Sequence, residues 1–498
     1  MKIAGTAVLF SLGAVLVLTS RGQSAQTPTA DSPDCARLPA SLSLPNTEVT
    51  RAVTVPAAGG RPDFCEVHAV IHPVAGSEIG VVYRLPGNWN GKLLAYGGGG
   101  WMGNVALQTA SEGLARGYAT LQTDAGHTTG SGFDAAPWAI NPDGTANRVK
   151  LEDFSHRAIH LMTERGKQVI AAYYGKVASR AYYQGCSTGG RMGLMAVQRY
   201  PQDFDGVIAG APVHTLQTQT SAQLRSNAFE ASGARLQPAH LELLNKAALA
   251  ACDAKDGNAD GVLRDPRACD FDPGSLQCAA GESGNACLTT AQVTALRGVY
   301  AGERARDGSI ASYPLEKGGE SGWARFVPAT GTGDPGGNSG GMHALRGPLL
   351  GNPAFDLSRF TAQDVSTVRS SWLAGVYEAN QPNISAFAGR GGKLILWHGF
   401  NDPGPSARGT VEYYEAVSKA TTGAQESVRL FLAPGVAHCS GGTGPDRVDW
   451  LAALDNWVDK GVAPQEVPAN KANSTLAWNL CAYPQLPTGQ SDGGYACN

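Results

Sequence analysis

The pentapeptide Gly185-Cys186-Ser187-Thr188-Gly189 lies between an apolar run, Ala181-Tyr182-Tyr183, and a helical stretch from Arg191 to Tyr200. A serine between glycines at a strand-to-helix junction constrains the fold more than any other feature of the chain. Such a turn holds the serine in a strained backbone conformation, and only minimal side chains fit around it. The hydroxyl is lifted to the top of a sheet, where the first amides of the helix favour negative charge. In a chain with 64 glycines the pattern also occurs by chance, so its weight comes from the flanking strand and helix.

The wider order agrees with that junction. Leu93 to Tyr96 runs into Gly97-Gly98-Gly99-Gly100, and Tyr118 to Leu121 runs into Thr123-Asp124-Ala125-Gly126-His127. A helical stretch from about Phe154 to Tyr174 separates the latter from Ala181 to Tyr183. Gly206-Val207-Ile208-Ala209-Gly210 then reads as a buried strand. Alternating strands and helices predict an α/β fold with a parallel sheet. After Pro212 the alternation stops. Residues 213–388 hold four cysteines, a helix from Ala239 to Ala251 and a glycine-rich stretch from Gly331 to Gly341. It resumes with a strand at Lys393 to Trp397, a helix at Thr410 to Ala420, a strand at Val428 to Leu432 and a helix at Val448 to Val458. The expected organisation is one α/β-hydrolase domain, residues 26–212 and 389–498, interrupted by an inserted lid of about 175 residues.

Two partners for Ser187 follow in hydrolase order. Asp402 comes just after the strand ending at Trp397, and His438 just after the strand ending at Leu432. Taken singly, Asp402 reads as a turn residue before Pro403 and His438 as a loop histidine. Together, at the C-terminal ends of strands where α/β sites assemble, they form the expected triad. His438 would take the Ser187 proton and Asp402 would fix the imidazole tautomer. The oxyanion donors are expected at the amides of Thr188 and Gly100. His156 and His160, spaced i,i+4, read as packing or surface residues. His127 and His398, also at strand ends, are expected to border the site without acting in it.

Ten cysteines, with no C-x-x-C pair, follow an N-terminus of signal-peptide type. Lys2 precedes an apolar stretch from Ile3 to Leu18, and cleavage is expected after Ala25. The stretch is slightly short for a membrane span, and no cysteine directly follows it. The expectation is a secreted or periplasmic protein with residues 1–25 removed and no stable membrane insertion thereafter. In that setting the cysteines read as five disulfides rather than a metal site. Roughly 945 pairings exist by the counting rule for cysteines. Sequence proximity favours Cys35–Cys65, Cys252–Cys269, Cys278–Cys287 and Cys481–Cys497, leaving Cys186 and Cys439. A net charge of −3 without a basic run argues against nucleic-acid partners.

Cys186-Ser187, Asp402 and His438-Cys439 resemble the CS-D-HC arrangement of the tannase and feruloyl esterase family, which also contains mono(2-hydroxyethyl) terephthalate (MHET) hydrolysing enzymes. Similar segments extend from Cys35 to Cys497, including Gly97 to Gly100, Phe204 to Pro212 and Cys481-Ala482-Tyr483-Pro484. The resemblance implies a serine carboxylic-ester hydrolase for small aromatic esters, a lid domain and a lid-bound structural calcium ion. Asp256-Gly257-Asn258-Ala259-Asp260-Gly261 matches the front of an EF-hand loop, but Arg267 stands where the bidentate glutamate belongs. The resemblance suggests another ligand set: side chains of Asp253, Asp256 and Asp260 with the carbonyls of Asn258 and Val262. The resemblance implies a lid arginine in the MHET-hydrolysing relatives; Gly331 to Leu345 contains none, so feruloyl or galloyl esters are expected ahead of terephthalate, with Arg325 and Arg346 flanking the stretch as candidate substitutes. Trp101, Trp323 and Phe326 are candidates to pack on an aromatic ring. The alternatives are an MHET-hydrolysing relative and, in another class, a non-catalytic binding protein on a hydrolase fold.

Overall fold

The computed structural model describes residues 34–327, 340–489 and 495–498. The expected signal peptide and residues 331–339 of the glycine-rich stretch lie outside the described residues. A nine-stranded sheet organises the rest: β1 (Thr47–Val55), β2 (Phe64–Ile71), β3 (Ile79–Pro86), β4 (Lys92–Tyr96), β5 (Ala119–Thr123), β6 (Arg180–Cys186), β7 (Gly206–Gly210), β8 (Lys393–Gly399) and β9 (Val428–Ala433). The spatial order is β1-β2-β3-β5-β4-β6-β7-β8-β9. β1, β2 and β3 form an antiparallel extension, and every pairing from β5 to β9 is parallel.

The parallel strands are short apolar runs because both faces are covered. All five residues of β7 are buried. α1 (Ala158–Tyr174), α2 (Thr188–Arg199), α4 (Ala407–Ala420) and α5 (Trp450–Lys460) supply that cover. α2 is the most enclosed, with Thr188 to Val197 all buried. The single helix expected over 154–174 is instead a π-turn at Asp153–Arg157 followed by α1. The carbonyls of Phe154 and Ser155 in that turn accept from the fully buried Arg191 guanidinium of α2, at 3.1 and 2.7 Å. The π-turn thereby ties α1 to the helix that follows Ser187.

Between Gly210 and Lys393 the chain leaves the sheet. α3 (Gln217–Glu230) opens this region. Its first part has its own core, with Phe229, Leu244, Leu296 and Trp323 among the buried members. Its later part, including Met342, Leu345, Leu349 and Leu373, joins the main core. The fold is thus an α/β-hydrolase sheet with a large inserted region. Five disulfides join Cys35–Cys65, Cys252–Cys269, Cys278–Cys287 and Cys481–Cys497, the four pairs that sequence proximity favours, and Cys186–Cys439, the pair left over. Among the described residues no helix is long and apolar enough to cross a membrane.

Candidate active site

Ser187 sits between the end of β6 and the start of α2 with φ 63° and ψ −125°. This is a left-handed conformation that a serine adopts only under constraint. The constraint is local. Ser187 N donates to Gly210 O at 2.9 Å, and Ser187 O accepts from Arg191 N and Val213 N, both at 3.1 Å. A Cβ on Gly185 would press on the Gly189 backbone, and one on Gly189 would press on Gly98 O. The two glycines of the motif are therefore required by close approach. Ser187 occupies the N-cap position of α2 without using its side chain as a cap. Its hydroxyl is left for another partner.

That partner is His438, whose Nε2 lies 2.9 Å from Ser187 Oγ. His438 Nδ1 lies 2.6 Å from Asp402 Oδ2. All three residues follow parallel strands, β6, β8 and β9, at the same edge of the sheet. The Asp402 side chain is fully buried, and Gly404 N donates to Oδ1 at 2.8 Å. Burial would raise this carboxyl. The charge of His438 and hydrogen bonds from His398 and His438 outweigh it and hold the group at about 2. The aspartate is ionised at neutral pH, and a carboxylate on Nδ1 leaves Nε2 free to accept a proton.

Thr188 and Gly100 both line the cavity that contains Ser187 and His438. Thr188 is the first residue of α2, so helix geometry provides its N–H with no acceptor. Gly100 has φ +58°, and a Cβ there would collide with the Gly132 carbonyl. The loop carrying Gly100 is anchored from behind: Trp101 N donates to Gly132 O at 3.1 Å, and Trp101 O lies 2.8 Å from His127 Nε2. His127 stacks on Trp138 with ring centroids 4.0 Å apart, and burial lowers its pKa to about 4. It is a neutral donor at pH 7. Sequence reasoning placed His127 at the border without this role.

The cavity is lined by Trp101 and Phe133 and by Phe326 from the inserted region. Phe326 meets the His438 ring edge-on at 4.8 Å, and Phe133 meets Phe326 at 6.3 Å. Of the aromatic candidates, Trp101 and Phe326 reach the cavity, whereas Trp323 is buried in the core of the inserted region. Arg225 of α3 also lines the cavity, with Nη1 donating to Pro403 O and Nη2 to Tyr313 O, both at 3.0 Å. No local pattern marked Arg225 or Phe133 in the sequence, because tertiary packing alone brings them here. His156 and His160 are turned elsewhere, towards the Tyr200 hydroxyl at 2.8 Å and Asp203 at 3.0 Å.

The Asp253 to Val262 loop lies between the Cys252–Cys269 bridge ends. Asp253 Oδ2 accepts from Gly261 N at 2.8 Å, Asp256 Oδ2 from Arg264 N at 2.9 Å, and Asp260 Oδ1 from Val262 N at 3.1 Å. Asp260 Oδ2 also accepts from the Tyr495 hydroxyl at 2.7 Å and pairs with the Arg264 guanidinium. Val262 O accepts from Arg264 Nη1 at 3.3 Å, and Asn258 N donates to Asp256 Oδ1 at 3.4 Å. Asp253 Oδ1 is buried with no hydrogen-bond partner among the described residues. An orphaned carboxylate oxygen in an all-oxygen donor set fits a hard cation such as Ca²⁺. The loop gathers the three acids without closing them into a cage: among the described residues no group of three such side chains is arranged to hold a metal.

Residues 65–498 match the family described as Tannase and feruloyl esterase. The chain is 33% identical to a probable feruloyl esterase of Arthroderma benhamiae, over 91% of this chain and 86% of the relative. It is 31% identical to the mono(2-hydroxyethyl) terephthalate hydrolase of Piscinibacter sakaiensis, over 88% and 84% of the two chains. The crystal structure of feruloyl esterase B from Aspergillus oryzae superposes with a TM-score of 0.82 at 25% identity, covering 93% of this chain and 99% of that one. The sheet, the Ser187 turn and these likenesses agree, and the chain belongs to the tannase and feruloyl esterase family of carboxylic ester hydrolases.

Proposed function

We propose that this protein is an exported serine esterase that cleaves small aromatic esters through an acyl-enzyme on Ser187. The observation that carries the reading is the continuous hydrogen-bonded chain from Ser187 Oγ through His438 to the buried Asp402. In the proposed reaction Ser187 Oγ attacks the ester carbonyl while its proton passes to His438 Nε2. Asp402 keeps Nδ1 protonated and stabilises the imidazolium. The amides of Thr188 and Gly100 receive the developing oxyanion. His438 then protonates the leaving alcohol. A water deprotonated by the same imidazole attacks the acyl-enzyme, releasing the acid and restoring the serine hydroxyl.

Export is supported by the N-terminal pattern and by five disulfides, which persist in oxidising compartments. Calcium would be held by the Asp253, Asp256 and Asp260 side chains with the Asn258 and Val262 carbonyls. Its contribution there would be neutralisation of clustered acids in the inserted region. Trp101, Phe133 and Phe326 give the cavity apolar faces suited to one aromatic ring.

Feruloyl and galloyl esters stand ahead of terephthalate. Among the described residues the cation reaching the cavity is Arg225, whose two Nη atoms face backbone carbonyls. Arg346, flanking the glycine-rich stretch, donates to Phe355 O at 3.4 Å. The test is a comparison of kcat/KM for methyl ferulate, methyl gallate and mono(2-hydroxyethyl) terephthalate at one pH. Preference for the terephthalate ester overturns the ordering. Activity confined to long-chain aliphatic esters overturns the substrate class.

A further inference from the structure

The Asp402 carboxylate faces two imidazoles. Besides His438, the fully buried His398 of β8 places Nε2 3.3 Å from the same oxygen, Oδ2. Nε2 also lies 3.1 Å from Pro405 O, and Nδ1 lies 2.8 Å from Oγ1 of Thr410 on α4. Thr410 is itself fully buried. The tautomer follows from these partners. A carbonyl and a carboxylate only accept, so Nε2 must carry the proton. The Thr410 hydroxyl then donates to the bare Nδ1, and every polar atom of the ring is satisfied.

We infer that His398, with its bare Nδ1 held by the Thr410 hydroxyl, is a positioning residue that orients Asp402 towards His438 and shares its charge. The inference rests on the reading of Ser187, His438 and Asp402 as the catalytic triad. Its chain runs Thr410–His398–Asp402–His438–Ser187, two hydrogen bonds deeper on the acid side than a triad needs. Other charged or titratable groups around it are accounted for. Arg225 binds Pro403 O beside Asp402, and His214 is kept neutral by burial with its pKa at about 4. His398 is thus the donor that competes directly with His438 for Oδ2. Removing it leaves the Asp402 charge directed at His438 alone, which favours the imidazolium. It also frees the carboxylate to rotate, and small misplacements of reacting groups are costly in rate.

The experiment uses the full-length protein with p-nitrophenyl acetate as probe and the variants His398→Met, Thr410→Val and Thr410→Ser. For His398→Met the expected result is a kcat lower by on the order of ten- to a hundredfold, with KM little changed. The acid limb of the kcat/KM profile should move to higher pH. Thr410→Val should move both readouts the same way by less, and Thr410→Ser should restore them. A folded His398→Met enzyme with wild-type kcat and limb overturns the inference. So does a lower plateau with an unmoved limb, which marks a structural role only. If His398→Met does not fold, the Thr410 pair decides: no difference between Val and Ser overturns it. Ser187→Ala separates the two readings. Residual activity there defeats the triad itself, whereas an inactive Ser187→Ala beside unperturbed His398 and Thr410 variants defeats only this inference.

Discussion

Cys186 and Cys439 are joined by a disulfide with Cα atoms 6.0 Å apart, although 253 residues separate them in sequence. One precedes Ser187 and the other follows His438, so the bridge ties together the two loops whose side chains meet at 2.9 Å. The loop it closes in sequence contains the whole inserted region. Cys439 itself has φ 62°, so the histidine loop, like the serine turn, is held in a conformation that needs support.

Replacing both Cys186 and Cys439 by alanine should therefore depress activity beyond any change in secondary structure. The chain-entropy model also assigns roughly 5 kcal/mol of stability to a loop of this length. The check is kcat on methyl ferulate beside circular dichroism and a thermal melt. Peptide mapping that finds both thiols free in active enzyme would remove the bridge from the account.

Ser187→Ala should abolish ester hydrolysis and leave the fold intact. Loss of a triad nucleophile costs on the order of 10⁴-fold or more in rate. The variant's thermal midpoint should stay near wild type, since the Ser187 side chain does not cap α2. Retention of more than about a tenth of the wild-type rate would exclude Ser187 as the nucleophile.

A pH signature should come from Glu320, which is fully buried at the start of the turn carrying Trp323. Tyr300 donates to Oε1 at 2.7 Å, while Oε2 is buried without a partner among the described residues. Burial pushes this carboxyl up from 4.5 to about 7. A carboxyl raised on folding contributes stability that is full below its unfolded pKa and is lost as pH rises through about 7. Glu320→Gln should therefore gain on wild type as pH rises from 6 to 8, by on the order of 1 kcal/mol. Thermal midpoints of the two proteins across that range provide the check, and parallel curves would contradict the assignment.

Calcium removal should lower the thermal midpoint without altering the pH profile of hydrolysis. A ligand bound only by the native state stabilises it by mass action. The orphaned Asp253 Oδ1 supports such a ligand, and the loop is remote in sequence from Ser187, Asp402 and His438. Melts with and without chelator, beside an Asp256→Ala variant, are the measurement. A midpoint indifferent to both would return the loop to an acid-rich turn braced by Arg264.

The strand ends and the three residues just beyond them were legible because each depends on a few neighbouring positions. Gly185 to Gly189 specifies a turn, and the apolar runs at Lys393 and Val428 specify buried strands. Of the antiparallel extension, β1 is half-exposed and carries a weaker pattern than the buried parallel core. The π-turn at Asp153 was hidden for another reason. Its side chains continue a helical periodicity, while the feature itself is a backbone shift stabilised by Arg191 from a different helix.

By itself the sequence determined the α/β class, the Ser187 turn, the order of its partners and the set of cysteines. These are local properties of short segments and of chain order. Only the tertiary structure decided that His398 stands behind Asp402, that His127 anchors the Gly100 loop, and that Phe133, Arg225 and Phe326 share one cavity. His398 lies in β8 and Asp402 four residues on, just past the strand end, a spacing with no directional meaning until the backbone is folded. The others meet across elements 26 to about 200 residues apart in the chain. Contacts of that range are set by how the layers pack, which no window of sequence encodes.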